Sequence, residues 1–281
     1  MKHGQPSQTA SMVALLRAYG DAGLCHVSGF RDPTARHMLA PRWAKRLART
    51  EAKMKRGKPS TMLEVARHGA DMMALRTLVI DEHVLEAVRE GARQLVILGA
   101  GLDGRAFRLT ELAGLDVYEV DHPATQSFKK QRAANLRRMA KGLAYVEVDF
   151  ERDDLEERLV RAGYSSNWPT VWLWEGVVMY LTRAATQQTL RSIARSSAGP
   201  ATLIVNYHTR ERAWLMNFLL RLWSEPQIGV WSPPEIAAEL AVHGFRVAED
   251  TSAADWAARY GVEVPRYGPR DAVRVLAAHR R

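Results

Sequence analysis

The sequence predicts an α/β fold with a doubly wound, seven-stranded, mostly parallel sheet, a helical N-terminal extension and a helical cover after the fifth strand. Three observations lead to this fold class. Apolar runs of strand length alternate with helical segments from residue 94 onward, a glycine-rich turn follows the first run, and the region before it is purely helical. Ligands of such sheets bind beyond the carboxyl ends of the strands.

The central feature is a βαβ unit with predicted strands at Gln94–Leu98 and Leu115–Asp121. The turn after the first strand has the pattern Gly-x-Gly-x-x-Gly. Gly99 and Gly101 let the backbone turn tightly and approach a ligand that a β-carbon would exclude. Asp121 ends the second strand, where ribose hydroxyls would be bound. This unit alone does not distinguish a dinucleotide site from an S-adenosylmethionine site.

Residues 1–90 form the predicted N-terminal extension, because they contain no convincing strand. Helical spacing covers Ser7–Tyr19, Pro33–Leu39, Pro41–Lys55, Ser60–Ala74 and Glu82–Glu90. We expect this extension to pack on the sheet domain and to form part of a substrate cover.

Residues 91–281 form the predicted ligand-binding domain. Its further strands are predicted at Leu143–Phe150, Thr170–Trp174, Ala201–Asn206, Phe245–Ala248 and Ala272–Ala277. A basic helix is predicted from His122 to about Lys141, and a capping box opens another at Ser232. A helical insertion spans about 209–231, where an apolar helix from Glu211 to Trp223 is either a buried helix or an aromatic cover over a bulky acceptor.

Composition limits the class of protein. With 281 residues, 47% of them apolar, the chain is long enough for an ordinary folded core. A single cysteine, Cys25, excludes an internal disulfide and a cysteine-only metal site, and no metal is expected. The N-terminus lacks the apolar core of a signal peptide, and no apolar run approaches the roughly 20 residues of a membrane helix. We expect a cytoplasmic protein without membrane contact, either monomer or homodimer.

The net charge of +9 comes from 40 basic and 31 acidic residues. The excess is concentrated in Arg36 to Lys58 and in Lys129 to Lys141. Such an excess raises nucleic acid or an acidic substrate as a partner. Solvated helix faces explain it more simply, so nucleic acid is not the expected partner and a small-molecule acceptor is.

Three acids, Asp121, Asp149 and Glu175, end three successive predicted strands and should meet at one edge of the sheet. One such acid would be an ordinary solvated strand end, but three beside a glycine turn indicate a site. A dinucleotide needs only the glycines and the first acid. S-adenosylmethionine carries a sulfonium, a ribose, an amino acid end and an adenine amino group, which acids suit better. Arg76 and Arg105 are candidates to hold the ligand's carboxylate.

Several phrases resemble the leucine carboxyl methyltransferase family, bacterial branch, in the right order over nearly the whole chain. The phrases are Ser7–Ala10, Asp32–Ala35, Leu75–Thr77 with Ile80–Asp81, Val96–Leu109, Glu119–Pro123, Val148–Phe150 and Trp174–Leu181. The resemblance implies a class I, Rossmann-like, S-adenosylmethionine-dependent O-methyltransferase. Two positions depart from the family: Gly104 stands where threonine is usual, and Leu78 where an aromatic residue is common.

The resemblance also implies roles for single residues. Arg76 resembles the arginine that binds the methionine carboxylate, and Glu175 the acid near the methionine end. Asp121 is similar to the ribose-binding acid, and Asp149 with Phe150 to the pair flanking adenine. The predicted cofactor-binding set is Arg76, Gly99, Ala100, Gly101, Asp103, Arg105, Asp121, His122, Asp149, Phe150, Glu175 and Gly176.

Acceptor and base are predicted from chemistry. A carboxylate acceptor, with a pKa near 4, is ionised at neutral pH and needs no base, whereas a phenol or alcohol would benefit from one. His208 and Tyr207, just past the predicted fifth strand, are the candidate catalytic residues, and His26 is a further candidate. Arg17, Arg36 and Arg210 are candidate partners of an acidic acceptor.

The favoured acceptor is a small, polyketide-like or other secondary-metabolite acid. Three alternatives remain. An RNA methyltransferase would use the basic surface and share the cofactor site. A protein C-terminal carboxyl methyltransferase is implied by the family name. A nicotinamide oxidoreductase would use the glycine turn with Asp121 but leave Asp149 and Glu175 without a role.

Overall fold

The structure is a computed structural model that describes residues 8–57, 61–149, 153–210, 228–263 and 271–281. Within these ranges, seven strands form one sheet in the order β3-β2-β1-β4-β5-β7-β6. The strands are β1 Gln94–Leu98, β2 Asp116–Asp121, β3 Gly142–Glu147, β4 Thr170–Trp174, β5 Ala201–His208, β6 Arg246–Ser252 and β7 Val273–Arg280. β7 is antiparallel to both neighbours, and the other pairings are parallel. The predicted doubly wound, mostly parallel fold is confirmed.

Helices cover the sheet and precede it. They are α1 Gln8–Asp21, α2 Ala35–Met38, α3 Pro41–Lys55, α4 Thr61–Arg89, α5 Arg105–Arg108, α6 Pro123–Ala133, α7 Leu155–Arg161, α8 Arg183–Arg195, α9 Pro233–Val242 and α10 Ala253–Arg259, with 3-10 turns at Thr110–Gly114 and Val178–Tyr180. The capping box predicted at Ser232 is present, since Glu235 Oε2 accepts from the backbone N–H of Ser232 at 2.8 Å. Local sequence therefore sets this boundary.

Two of the predicted helices are one. The segments predicted at Ser60–Ala74 and Glu82–Glu90 both belong to α4, a helix of 29 residues. The connecting residues were not predicted as helical because Arg76 and Asp81 interrupt the apolar periodicity. Both are nevertheless buried, so they occupy core positions of the helix and are matched there by opposite charges.

Two other predicted boundaries are corrected. The helix predicted to run to Lys141 ends at Ala133, and the backbone N–H of Met139 instead donates to the Ala106 carbonyl at 2.9 Å. The third strand ends at Glu147, because the Asp149 N–H donates to Asp153 Oδ2 at 2.8 Å and the chain turns. Asp149 thus lies just beyond the strand.

The core has one apolar layer on each face of the sheet, because strand residues alternate between faces. Leu95 and Ile97 point into the layer that also contains Leu15 of α1 and Ile80 of α4. Val96 points into the opposite layer, which also contains Trp172, Val205 and Tyr207. The N-terminal helices therefore share a core with the sheet, while the division of the chain at residue 90 stays a prediction.

The basic regions differ in what they do. The cations of α3 lie on its exposed face, as expected for a solvated helix; they are Arg42, Lys45, Arg46, Arg49, Lys53 and Lys55. In the second region, however, Lys129 is only 1% exposed, and its Nζ lies 2.6 Å from Glu119 Oε2. For Lys129, a solvated position is therefore wrong. Within the described ranges no helix is both long and apolar enough to cross a membrane.

Candidate active site

The carboxyl ends of β2, β1 and β4 lie at one level. Leu98 of β1 pairs with Val120 of β2, and Ile97 with Leu173 of β4. The residues that follow these strands therefore leave neighbouring strands about 4.8 Å apart at the same edge. Asp121 flanks the glycine turn on one side, and Glu175 flanks it on the other. Asp149, beyond β3, continues the row on the Asp121 side.

The glycine turn has the backbone geometry expected of it. Gly99 has φ of +65° and Gly101 of +50°, in the left-handed region that favours glycine. A β-carbon at Gly99 would lie 2.4 Å from Cγ2 of Val177, so this position also lacks room for a side chain. The Ala100 N–H donates to the Val120 carbonyl at 3.0 Å, which fixes the turn against β2.

We expect Gly99→Ala to weaken S-adenosylhomocysteine binding at least tenfold, because the new methyl group would displace Val177 and strain the turn. Isothermal titration calorimetry measures the dissociation constant of S-adenosylhomocysteine. Gly261→Ala is the matched control, since Gly261 has φ of +64° but no atom within 4 Å of a β-carbon. The control should lose about 1–2 kcal/mol of stability without losing affinity. Equal affinities in both variants would contradict the role of the turn.

Asp121 holds the turn and the start of α6. Its Oδ2 accepts from the Gly101 N–H at 2.6 Å, and its Oδ1 from the His122 N–H at 2.7 Å. Burial raises the pKa of Asp121 above its ordinary value, although these two hydrogen bonds oppose the rise. His122 caps α6, since its Nδ1 accepts from the Ala124 N–H at 3.2 Å. The side chain of His122 therefore has a structural partner beside the site.

Glu175 is held by two arginines. Arg76 of α4 contacts Glu175 Oε1 through Nε at 2.9 Å and Nη2 at 2.8 Å. Arg105 Nη1 donates to Glu175 Oε2 at 2.8 Å. Burial would raise the pKa of Glu175, but Arg76 and Arg105 outweigh it and hold the pKa below its ordinary value. Glu175 is therefore ionised at neutral pH, and the predicted pair of Arg76 and Glu175 is in direct contact.

Arg105 and Asp103 lie behind this pair. The side chain of Arg105 is completely buried, and its Nε donates to Asp81 Oδ1 at 2.7 Å. Its Nη1 also pairs with Asp103 Oδ2, and its backbone N–H donates to Asp103 Oδ1 at 2.7 Å. Burial opposes ionisation of Asp103, but Arg105 and Lys129 hold its pKa well below the ordinary value. With no exposed surface, Arg105 is placed to orient acids.

Sequence reasoning missed the residues that extend this network. Arg108 contacts both carboxylate oxygens of Asp81, through Nη1 at 2.6 Å and Nη2 at 2.9 Å. Its Nε lies 3.9 Å from Asp32 Oδ2, and Asp32 is completely buried. A usable signal was present, since Asp81 interrupts an apolar helix face and must therefore have a partner if it is buried.

The two candidate catalytic residues point to opposite faces of β5, because they are adjacent in the strand. The Tyr207 hydroxyl donates to Asp250 Oδ2 at 2.7 Å, and Asp250 also pairs with Arg274. Burial and Asp250 both raise the pKa of Tyr207 well above its ordinary value. His208 is the last residue of β5, at the edge that carries the acids, and its carbonyl accepts from the Trp231 N–H at 3.0 Å. Both residues were predicted just past the strand, but β5 is two residues longer than predicted and includes them.

The other candidate acceptor contacts are dispersed. Arg17 is buried and binds the Leu102 carbonyl at 2.6 Å, so it supports the turn. Arg36 and Arg210 lie in surface ion pairs with Glu51 and Glu235. The structure thus does not bring the three arginines together.

His26 is exposed by about half, and its Nδ1 lies 2.9 Å from the buried carboxylate of Asp71. This contact attaches the loop after α1 to α4. Phe150 and most of the predicted cover, residues 211–227, lie outside the described residues.

The comparisons with known proteins agree with this geometry. A profile of the Leucine carboxyl methyltransferase family matches residues 10–194. A protein of Mycolicibacterium paratuberculosis, whose name describes an S-adenosyl-L-methionine-dependent methyltransferase, is 34% identical over 299 residues, covering 96% of this chain and 90% of its own.

Two solved structures are similar in fold. A methyltransferase structure from Thermobifida fusca has a TM-score of 0.59 at 17% identity and covers 100% of this chain and 96% of its own. Magnesium protoporphyrin IX methyltransferase from Synechocystis, solved with bound S-adenosylhomocysteine, has a TM-score of 0.50 at 14% identity and covers 80% of this chain and 89% of its own. At these identities the likeness concerns the fold alone.

Proposed function

Because the chain belongs to the leucine carboxyl methyltransferase family and is an S-adenosylmethionine-dependent methyltransferase, we propose that it methylates an oxygen, specifically a carboxylate, of a small-molecule acid. With S-adenosylmethionine as the cofactor, the nicotinamide oxidoreductase alternative is wrong. The family name supports the choice of a carboxylate, and the structure adds one observation: the Tyr207 hydroxyl donates to Asp250 and has a raised pKa, so Tyr207 is a poor base and only His208 remains of the two candidates on β5. A carboxylate acceptor needs no base.

The residues at the strand edge fit the cofactor. Gly99 and Gly101, both with positive φ, form a tight turn between Asp121 and Glu175, and Asp149 continues the row of acids on the Asp121 side. We assign Asp121 to the ribose hydroxyls and Asp149 to the adenine side. A guanidinium has five N–H donors, and Glu175 accepts from only one edge of Arg76, so the other edge serves the carboxylate of the amino acid end.

Arg105 takes a different role from the predicted one, which was to hold the ligand's carboxylate. We assign it to position Glu175 and Asp103, since its guanidinium is buried among carboxylates. Glu175, held ionised by Arg76 and Arg105, accepts from the ammonium of the amino acid end. A positively charged ligand end thus meets a fixed negative charge, which strengthens the hydrogen bond.

The bound cofactor supplies a methyl group already activated by its sulfonium. The protein therefore has to position the acceptor oxygen and to exclude water, a contribution that reaches about 7–11 kcal/mol in well-oriented systems. No proton has to be removed from an ionised carboxylate. His208, at the end of β5, is the described side chain that we assign to contact the acceptor.

For the cofactor site, we expect Asp149→Ala to weaken S-adenosylhomocysteine binding at least tenfold in calorimetric titrations, because a hydrogen-bonding partner at the end of the row of acids is lost. Glu111→Ala is the matched control, since Glu111 is exposed on a 3-10 turn away from the strand ends. Both variants should unfold at the urea concentration of the wild type. Unchanged affinity in a folded Asp149→Ala protein would overturn the role of this acid.

The acceptor class is tested with labelled S-adenosylmethionine against matched panels of small carboxylic acids, phenols and RNA. A carboxylate acceptor predicts base-labile ester products and a rate that is flat above about pH 6, because the acceptor is ionised throughout. His208→Gln should raise KM more than it lowers kcat. Transfer only to phenols with a rate that rises with pH, or only to RNA, would refute the carboxylate proposal.

A further inference from the structure

Three residues before the sheet contact the glycine turn at three successive points. The β-carbon of Ala10 lies 3.3 Å from the position that a β-carbon on Gly101 would occupy. Arg17 Nη2 donates to the Leu102 carbonyl at 2.6 Å. The third contact is between Thr34 and Gly104, at the end of the turn. We call Ala10, Arg17, Asp32 and Thr34 the N-terminal clamp.

The contact at Gly104 leaves no room for a side chain. A β-carbon there would lie 1.9 Å from Thr34 Oγ1 and 3.4 Å from Asp32 Oδ1. Gly104 has φ of −108°, a conformation open to any residue. Glycine is therefore required at this position by the Thr34 hydroxyl and not by the backbone. Because Gly104 has no side chain, the Thr34 hydroxyl of the N-terminal segment can pack against the turn.

Asp32 fixes the other parts of the clamp. Its Oδ1 accepts from Thr34 Oγ1 at 2.6 Å, and its Oδ2 lies 3.2 Å from Arg17 Nη1. Asp32 is fully buried and Thr34 is 4% exposed, so these contacts are shielded from water. Since one carboxylate binds both Arg17 and Thr34, the contacts at Leu102 and Gly104 depend on each other.

We propose that the N-terminal clamp positions the cofactor turn, so that cofactor affinity depends on the contacts that Thr34 and Arg17 make with the turn. The physical reason is preorganisation. A turn with two left-handed glycines has many accessible conformations, and ordering it reduces the binding free energy unless the protein orders it beforehand. The proposal rests on the assignment of this turn to the cofactor. By linkage, cofactor binding must in return stabilise the clamp.

The test compares two substitutions at Thr34. Thr34→Val keeps the shape but removes the donor to Asp32, whereas Thr34→Ser keeps the hydroxyl. We expect Thr34→Val to weaken S-adenosylhomocysteine binding about tenfold and Thr34→Ser to stay within about twofold of the wild type. A Thr34→Val protein that is less stable but binds with wild-type affinity overturns the proposal, because its role is then structural only.

Two further measurements do not depend on Thr34→Val folding. Adding S-adenosylhomocysteine to the wild type should slow amide hydrogen exchange in residues 8–35 at least fivefold. Gly104→Ala should weaken binding, and Thr34→Ala added to it should restore part of the affinity by removing the hydroxyl at the clash. If amide hydrogen exchange is unchanged, or if Thr34→Ala does not restore affinity, the proposed role of the N-terminal clamp is wrong but the cofactor assignment is not affected. A wild type that does not bind S-adenosylhomocysteine overturns the cofactor assignment as well.

Discussion

Replacing Arg105 with methionine is expected to lower the free energy of unfolding by about 3–5 kcal/mol and to abolish S-adenosylhomocysteine binding. Arg105 is completely buried and pairs with Asp81, Asp103 and Glu175. Removing it leaves buried carboxylates short of positive charge, which costs more than the lost contacts alone. Arg105→Lys should rescue little, because one ammonium cannot donate along the three directions that the guanidinium uses.

The loss should be greatest at Asp103. Asp81 retains Arg108 and Glu175 retains Arg76, whereas Asp103 keeps only the backbone N–H at position 105 among the described hydrogen bonds. Asp103→Asn added to Arg105→Met should therefore recover part of the stability. Urea denaturation and calorimetry measure both effects. As a control, Arg161→Met removes an exposed ion pair with Glu157 and should lower the free energy of unfolding by at most about 0.5 kcal/mol. An Arg105→Met protein as stable as that control would contradict the network.

Replacing Lys129 with methionine is expected to destabilise the protein by about 3–5 kcal/mol at pH 8. Lys129 is the buried partner of Glu119, which is completely buried on β2, an interior strand of the sheet. Burial raises the pKa of Glu119 to about 7, although Lys129 opposes the rise. Without Lys129 the pKa of Glu119 should rise further, so at pH 8 the folded protein must either bury an unpaired carboxylate or protonate it, and both lower its stability. Urea denaturation at several pH values measures the cost.

The pH dependence has a definite sign. The pKa of Glu119 is higher in the folded protein than its ordinary 4.5, so the folded state binds the proton more tightly. The contribution of Glu119 to the free energy of unfolding is therefore present in full below about pH 4.5. It decreases as the pH rises from about 4.5 to 7 and is lost above that range. Because the pKa of Glu119 should be higher still in the Lys129→Met variant, the cost of the substitution should be smaller at pH 5, where Glu119 is protonated in both proteins, than at pH 8.

Two controls isolate the buried pair. Lys141→Met removes an ion pair with Asp116, which also lies on β2. Because the Lys141 side chain is 56% exposed, the substitution should lower the free energy of unfolding by at most about 1 kcal/mol. Adding Glu119→Gln to Lys129→Met should restore most of the stability and remove the pH dependence. A double variant as unstable as Lys129→Met at pH 8 would show that packing, and not charge, is responsible.

The sheet could be predicted from the sequence because each buried parallel strand is a short apolar run. In this chain, acids mark the ends of three of these runs. Gly99, Asp121 and Glu175 follow strands whose order is fixed by the βαβ pattern, so their shared edge follows from topology. The boundary errors at α4 and α6 have different causes. At α4, a charged residue at a buried position, such as Arg76, resembles a surface residue until its partner is known. At α6, the chain leaves the helix after Ala133 because the Met139 and Ala140 N–H groups donate to the Ala106 carbonyl, a distant contact that the local sequence does not indicate.

Pairings between distant residues could not be predicted. Lys129 and Glu119 are ten positions apart on different elements, and Arg17 meets Leu102 only because α1 packs over the turn. The predicted fifth strand ends at Asn206, whereas β5 extends to His208. The alternation of side chains therefore places Tyr207 and His208 on opposite faces, which could not be predicted while both residues were expected beyond the strand.

The buried partners of Asp81 also constrain how the chain acquires its structure during synthesis. Arg105 and Arg108, which pair with this acid of α4, are made 24 and 27 residues later. At about 5–20 residues per second, the first four helices leave the ribosome with a charge that has no partner. They should complete their packing only after β1 and α5 have followed. The oldest part of the nascent chain is thus expected to be among the last to reach its native state.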